Sequence, residues 1–290
     1  MLLPKFDYYD PETVEEACGL LTELGGQTKL LAGGTDLIVN MKRRTVLPDH
    51  VVSLSKIESL TALDASNGTV RIGACVTAGE IAESEAVRQD FAALAAGAAG
   101  LGSPLIRNLA TIGGNLVTAR PAADTPAPLL VYNAHVVLKN GAGERTVSIG
   151  EFFAGPGETV IGEQEILTEI ILEKPQGRTG AGHLKLGVRN ALEISLVNVA
   201  AFLRLDQGVI AEARVAMGSV APTPILSPGA GTVLKGEKPS ESLFSRAAEA
   251  AASDSRPIDD FRASAAYKRA MVETLTRRAL AAAYGNALKE

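Results

Sequence analysis

The chain has 290 residues but only two cysteines, Cys18 and Cys75, and three histidines, His50, His135 and His183. An iron–sulphur cluster or a structural zinc ordinarily takes about four soft ligands, so neither is expected here. The histidines lie too far apart in sequence to form a local metal motif, and no metal site is expected. Like charge is also sparse in runs. With 33 acidic and 28 basic side chains the net charge is −5, and the only block of like charge is Lys42-Arg43-Arg44. That lacks the electrostatic footprint of a nucleic-acid binder. The longest weakly polar run, Phe91 to Ile106, is interrupted by Ser103 and Pro104 and falls short of the roughly 20 apolar residues a membrane helix needs. The N-terminus has no basic stretch followed by an apolar one, so a secretory signal is not expected and the cytoplasm is the expected location. What is present suits a folded protein: 46% hydrophobic and 21% charged residues provide for a sizeable core.

Residues 1–54 alternate strand and helix, which predicts a parallel unit. Lys5 to Tyr8 reads as a strand. A helix follows, started by Asp10-Pro11 or by a capping box at Thr13 and Glu16, with Val14, Cys18, Leu21 and Leu24 on one face and Gly25-Gly26 as the stop. Lys29 to Ala32 reads as a buried strand, Leu37 to Arg44 as a short helix and His50 to Leu54 as another strand. A second α/β segment, 55–177, opens with a hairpin signal at Asn67-Gly68 and a capping box at Thr77 and Glu80 that starts a broken helical stretch to Ala99. Asp124 to Tyr132 reads as a short helix, and His135 to Lys139, Arg145 to Ile149 and Ile166 to Leu172 as strands. Lys174-Pro175-Gln176-Gly177 reads as a linker. Beyond it, long strands at His183 to Arg189, Leu196 to Leu205 and Val209 to Val220 predict an antiparallel sheet, followed by helices at Ser240 to Ala252 and Phe261 to Tyr284. The expected division is therefore an α+β chain with one domain at 1–177 and a second at 178–290.

No Gly-Lys dipeptide, G-x-G-x-x-G, H-E-x-x-H or G-x-S-x-G occurs, which removes the common NTPase, dinucleotide, metalloprotease and hydrolase motifs. Two double-glycine loops stand out instead, Leu31-Ala32-Gly33-Gly34-Thr35-Asp36 and Ala110-Thr111-Ile112-Gly113-Gly114-Asn115. Paired glycines let backbone N–H groups converge and let a phosphate approach without meeting a Cβ, while Thr or Asn adds a side-chain donor. Two such loops predict a clasp for a diphosphate. Asp36 would repel phosphate, so its carboxylate is expected to face the N–H groups at the start of the helix from Leu37. Asp124 reads by itself as a cap for the helix through Leu129 and Leu130, and Lys185, Leu101 and Leu167 as ordinary strand or core residues.

The two loops, with Ser103-Pro104-Leu105-Ile106-Arg107-Asn108 before the second and Pro121-Ala122-Ala123-Asp124 after it, resemble the FAD-binding (medium) subunit of molybdenum hydroxylases over essentially the whole chain. The resemblance implies the FAD-binding fold of vanillyl-alcohol-oxidase-type flavoproteins, with two α/β subdomains followed by a C-terminal domain of antiparallel sheet and helices. It places Ala32 to Asp36 and Thr111 to Asn115 on the FAD diphosphate and Asp124 on the cofactor's sugar chain. It sets Lys185 near the flavin, where a cation favours the reduced ring, and Leu101 and Leu167 beside the isoalloxazine. Arg107 and Asn108 belong to the motif as loop-shaping residues. A molybdenum-pterin cofactor on a large subunit and two [2Fe–2S] clusters on a small subunit are implied as partners, in a dimer of heterotrimers, with this chain as the electron-transfer subunit. Thr35-Asp36 stands where carbon monoxide dehydrogenase flavoproteins tend to carry His-Ser, which disfavours that subgroup. The lack of cysteine excludes the extra cluster of the branch acting on aromatic CoA esters. Two alternatives remain at this point: a stand-alone flavin reductase resembling UDP-N-acetylenolpyruvoylglucosamine reductase, and a non-catalytic module binding a phosphorylated ligand.

Overall fold

The computed structural model describes residues 2–189 and 192–289. The N-terminal unit runs β1 (Asp7–Tyr9), α1 (Val14–Leu24), β2 (Thr28–Leu31), α2 (Leu37–Lys42), β3 (His50–Ser53), and its strands form a parallel sheet in the order β1-β3-β2. Thr13 caps α1 by accepting the Glu16 N–H, and the N–H of Gly25 closes the other end on Leu21, so the cap at Thr13 marks the start rather than Asp10-Pro11; the box is not reciprocal, since the Glu16 carboxylate accepts from the Glu12 N–H. Val14, Ala17, Cys18 and Leu21 bury the face that periodicity assigns to the core.

The middle unit contains β4 (Leu63–Asp64), β5 (Thr69–Gly73), α3 (Ala78–Glu83), α4 (Glu85–Asp90), α5 (Ala92–Ala99), α6 (Pro104–Arg107), α7 (Ile112–Val117), α8 (Pro126–Val131), β6 (His135–Asn140) and β7 (Gly143–Ser148). It continues through α9 (Ile149–Phe152), β8 (Phe153–Gly155), β9 (Glu158–Thr159) and β10 (Ile166–Glu173). Its main sheet has the order β4-β5-β10-β6-β7, antiparallel throughout. Thr77 and Glu80 make a reciprocal capping box at α3, and Ser84 ends that helix while capping the next by accepting the Val87 N–H, which explains the broken stretch to Ala99.

The last unit is β11 (Arg178–Leu186), β12 (Val197–Asp206), β13 (Val209–Gly218), β14 (Ile225–Leu226), α10 (Pro228–Leu234), α11 (Glu241–Asp254) and α12 (Ala265–Ala287), with the sheet in the order β11-β12-β13-β14. Strand β11 starts five residues before the predicted His183 and stops at Leu186. Its first half, residues 178–182, lies between the predicted linker and the predicted strand and carries no assignment in sequence. The glycines serve close packing, since a Cβ on Gly180 would overlap the backbone of Ala283 and Ala287 in α12.

One hydrophobic cluster fills the middle unit and continues into the last sheet through Ala181, Ala200, Phe202 and Ala216. Tyr132, at the end of α8, meets Phe91 and Phe202 edge to face at 5.0 and 5.9 Å, and the Arg214 guanidinium lies 4.5 Å over the Phe202 ring. Core packing therefore ties α8 to β12 and β13, so that residues of β11 and of the loop before β12 reach the end of α7. Among the described residues no helix is long and apolar enough to cross a membrane.

Candidate functional site

The two glycine loops are in direct contact. A Cβ on Gly33 would overlap the carbonyl oxygen of Leu109, the residue just before the second loop, so only glycine lets the loops meet. Gly34 adopts the left-handed region at φ 71°, which turns the chain into α2. Among the described residues, no hydrogen bond is made by the N–H groups of Gly33, Gly34, Thr35 or Asp36. Four consecutive unpaired donors at a tight turn are available to an anion.

The second loop is different. Ile112 N–H donates to Val76 at 3.0 Å, Gly113 N–H to Ala74 at 2.8 Å and Asn115 N–H to Thr111 at 3.0 Å, while Thr111 Oγ1 caps α7 by accepting the Gly114 N–H at 3.1 Å. These N–H groups are already used in holding the loop. Its remaining offer is a hydroxyl proton on Thr111 and the Asn115 amide, whose Oδ1 accepts from Thr125 Oγ1 at 2.6 Å and leaves Nδ2 free to donate. A Cβ on Gly114 would displace the Thr111 hydroxyl that caps α7, 2.8 Å away, whereas one on Gly113 would run into the backbone and side chain of Ala74.

Asp36 does not cap α2. Its backbone is already helical, at φ −102° and ψ −50°, so the side chain does not reach the first N–H groups, and Ile38 N–H instead donates to the Gly34 carbonyl at 3.1 Å. The exposed carboxylate lines a cavity of about 690 Å³ together with Thr35, Arg43, Arg120, Ser195 and Arg256. Asp124 is not a helix cap either, because the N-cap position of α8 falls on Thr125, one residue later, with Pro126 as the first helical residue.

The Asp124 carboxylate is buried and doubly engaged. Its Oδ2 accepts from Lys185 Nζ at 2.8 Å and its Oδ1 from Ser195 Oγ at 2.8 Å. Burial pushes this carboxyl above its ordinary value, against the opposing pull of the Lys185 charge and of both hydrogen bonds. Lys185 also donates to the Gly100 carbonyl at 3.0 Å, leaving one ammonium proton unassigned. Next to Gly100, Leu101 accepts Arg107 Nη1 on its carbonyl at 3.1 Å, the first contact assigned to that arginine. Leu101 and Leu167 are both buried in the middle core, Leu167 beside a bulge in β10. A connected set results: first loop to Leu109, second loop to Asn115, Thr125 and Asp124, then Lys185, Gly100 and Leu101. Leu167 belongs to the same core without a polar link to the set.

Sequence reasoning misses Ser195, Thr125 and Arg120. Ser195 is 71 positions from Asp124, and no local pattern marks such a partner.

Comparison with known proteins decides the family. Residues 4–175 match the FAD binding domain in molybdopterin dehydrogenase, and residues 183–283 the CO dehydrogenase flavoprotein C-terminal domain. The chain belongs to the FAD-binding medium subunits of molybdenum hydroxylases. It is 34% identical to the carbon monoxide dehydrogenase medium chain of Hydrogenophaga pseudoflava, covering 98% of this chain and 99% of that one. It is 31% identical to the xanthine dehydrogenase FAD-binding subunit of Escherichia coli O157:H7, with 95% of each chain covered. A solved carbon monoxide dehydrogenase of Hydrogenophaga pseudoflava, one that lacks the Mo-pyranopterin moiety of the molybdenum cofactor, superposes with a TM-score of 0.95 at 34% identity over 99% of both chains. As a medium subunit the protein is the flavoprotein component of an oxidoreductase, which separates it from the module and the stand-alone reductase. The residues present suit FAD: unpaired N–H donors with the Thr111 hydroxyl and Asn115 amide nearby for a diphosphate, and a half-buried lysine held by a buried carboxylate for a polar ring edge.

Proposed function

We propose that this chain is the electron-exit subunit of a molybdenum hydroxylase, taking electrons from [2Fe–2S] clusters on a small subunit and delivering them to an external acceptor. When bound, FAD supplies a two-electron store between one-electron clusters and that acceptor. The chain's own residues hold and orient it. The N–H groups of Gly33 to Asp36 receive the diphosphate, with Thr111 and the Asn115 amide donating from the other side, while Gly33 lets the two loops meet and Gly113 packs the second loop on Ala74. Asp124 meets the sugar chain, Lys185 sets a fixed positive charge at the flavin's polar edge, and Leu101 and Leu167 exclude water from the isoalloxazine. The cavity beside Ser195 is the space in which a small acceptor reaches the flavin. A large subunit carries the molybdenum-pterin cofactor and oxidises the organic substrate, in a cytoplasmic dimer of heterotrimers.

The observation that carries this reading is the row of unpaired N–H groups at Gly33 to Asp36, in contact with a second loop whose connected residues lead to Lys185. Its support from composition is that two cysteines and three histidines suit a chain whose clusters and molybdenum lie elsewhere. The test is purification from the native host under mild conditions. A large molybdenum-containing subunit and a small cysteine-rich one are expected to co-purify with the yellow chain, and repeated isolation as a fully active monomer would defeat the assembly.

A further inference from the structure

Between β11 and β12 the described residues on either side of 190–191 are held by several hydrogen bonds. Leu196 N–H donates to the Leu186 carbonyl at 2.8 Å, Leu192 N–H to Gly102 at 3.3 Å, and Arg189 Nε pairs with Glu193 Oε2 at 2.8 Å. This fixes Ser195, 3% exposed, against Asp124 on the side opposite Lys185. The carboxylate thus stands between a hydroxyl on one oxygen and an ammonium on the other.

We propose that Ser195 is a positioning residue, whose hydroxyl acts through the Asp124 carboxylate to hold Lys185 directed at the flavin. This rests on the reading that Lys185 stands beside the flavin. A buried carboxylate is costly unless its oxygens accept hydrogen bonds, and Asp124 has one side-chain donor on each oxygen. Removing the Ser195 hydroxyl leaves Oδ1 without that donor and favours the neutral acid. A neutral Asp124 no longer balances Lys185, so the direction of the ammonium and the net charge of the pair become dependent on pH.

The neighbours of Asp124 make this coupling local. From β11 only Lys185 presents a charge, and His183, two residues along the same strand, is held neutral by burial down to about pH 4. From β12, Asn198 Nδ2 donates to the Ala123 carbonyl rather than to the carboxylate. From the α7–α8 side, Thr125 turns its hydroxyl to Asn115. Among the described residues Lys185 is therefore the one charged partner, and Ser195 the one neutral side-chain donor, on this carboxylate.

The experiment is a redox titration of the FAD-loaded chain across pH for the natural protein, Ser195→Ala, Ser195→Thr and Lys185→Met. In Ser195→Ala a break in the plot of flavin midpoint potential against pH is expected, displaced upward by about one pH unit from that of the natural protein. Ser195→Thr is expected to restore the natural curve. Superimposable curves for Ser195→Ala and the natural chain, with Lys185→Met displaced, would overturn this inference alone. Superimposable curves for all four would overturn the placement of Lys185 beside the flavin. In the FAD-free chain, carbon NMR of labelled aspartate is expected to show Asp124 titrating at higher pH in Ser195→Ala, and an unmoved titration would likewise overturn the inference.

Discussion

Gly33 and Leu109 meet backbone to backbone, 76 residues apart in sequence, and a side chain on Gly33 would overlap the Leu109 carbonyl oxygen. Gly33 therefore joins the two loops, while a side chain on Gly114 would meet only the Thr111 hydroxyl of its own loop. The two glycines are expected to respond differently. Gly33→Ala forces a backbone shift and is expected to cost at least about 1–3 kcal/mol in urea unfolding. Gly114→Leu displaces only the Thr111 hydroxyl and is expected to cost about 1 kcal/mol, the value of that cap, while lowering FAD affinity at least about tenfold by equilibrium dialysis. Equal stability losses in both variants would contradict the division of roles.

The Asp124–Lys185 pair is almost wholly buried, so removing one member strands the other. Lys185→Met is expected to destabilise the FAD-free chain by about 3–5 kcal/mol near neutral pH. Its stability should recover on acidification, because the folded chain then takes up a proton at Asp124 that the unfolded chain still releases above about pH 3.9. The double variant Asp124→Asn/Lys185→Met should recover most of the loss. Denaturant titrations at several pH values check both outcomes.

His183 predicts a pH dependence of the opposite sign. Burial, aided by the charge of Lys185, lowers its pKa to about 4, and its Nε2 is sealed without a hydrogen-bond partner. Between about pH 6.5 and 4 the unfolded chain binds a proton at this ring and the folded chain does not. Stability from this group is thus complete above about pH 6.5 and falls with decreasing pH, by at most about 1.4 kcal/mol per unit. His183→Gln is expected to flatten that slope, which differential unfolding curves across the window will show.

Thr111 is expected to matter twice. Thr111→Ala removes the cap on α7 and should cost about 1 kcal/mol, and it also removes a hydroxyl from the proposed diphosphate site. Calorimetry with and without FAD separates the two losses.

The local grammar of the chain was readable from sequence wherever it depended on neighbours. Thr13, Thr77 and Ser240 act as caps, the N-terminal strands are parallel, and the turns at Asn67-Gly68 and Gln207-Gly208 take the left-handed conformations expected of them. The errors arise where a distant element decides. The glycines of β11 belong to a strand because α12 lies on them, and Asp124 binds Lys185 and Ser195, 61 and 71 residues away, rather than capping α8. Asp36 was misread for a local reason, since capping needs an extended backbone and Asp36 is already helical. The likeness of the two glycine loops was also only partly a likeness of function, because the second loop's N–H groups are occupied by Ala74, Val76 and Thr111.

The central claim is that this chain holds FAD between its two glycine loops. The most direct measurement is the flavin content of the purified chain, before and after incubation with FAD, for the natural protein and Gly114→Leu. One FAD per natural chain and a folded, colourless Gly114→Leu are predicted. A natural chain that stays colourless with FAD, or a Gly114→Leu chain that retains a full equivalent, would contradict the account.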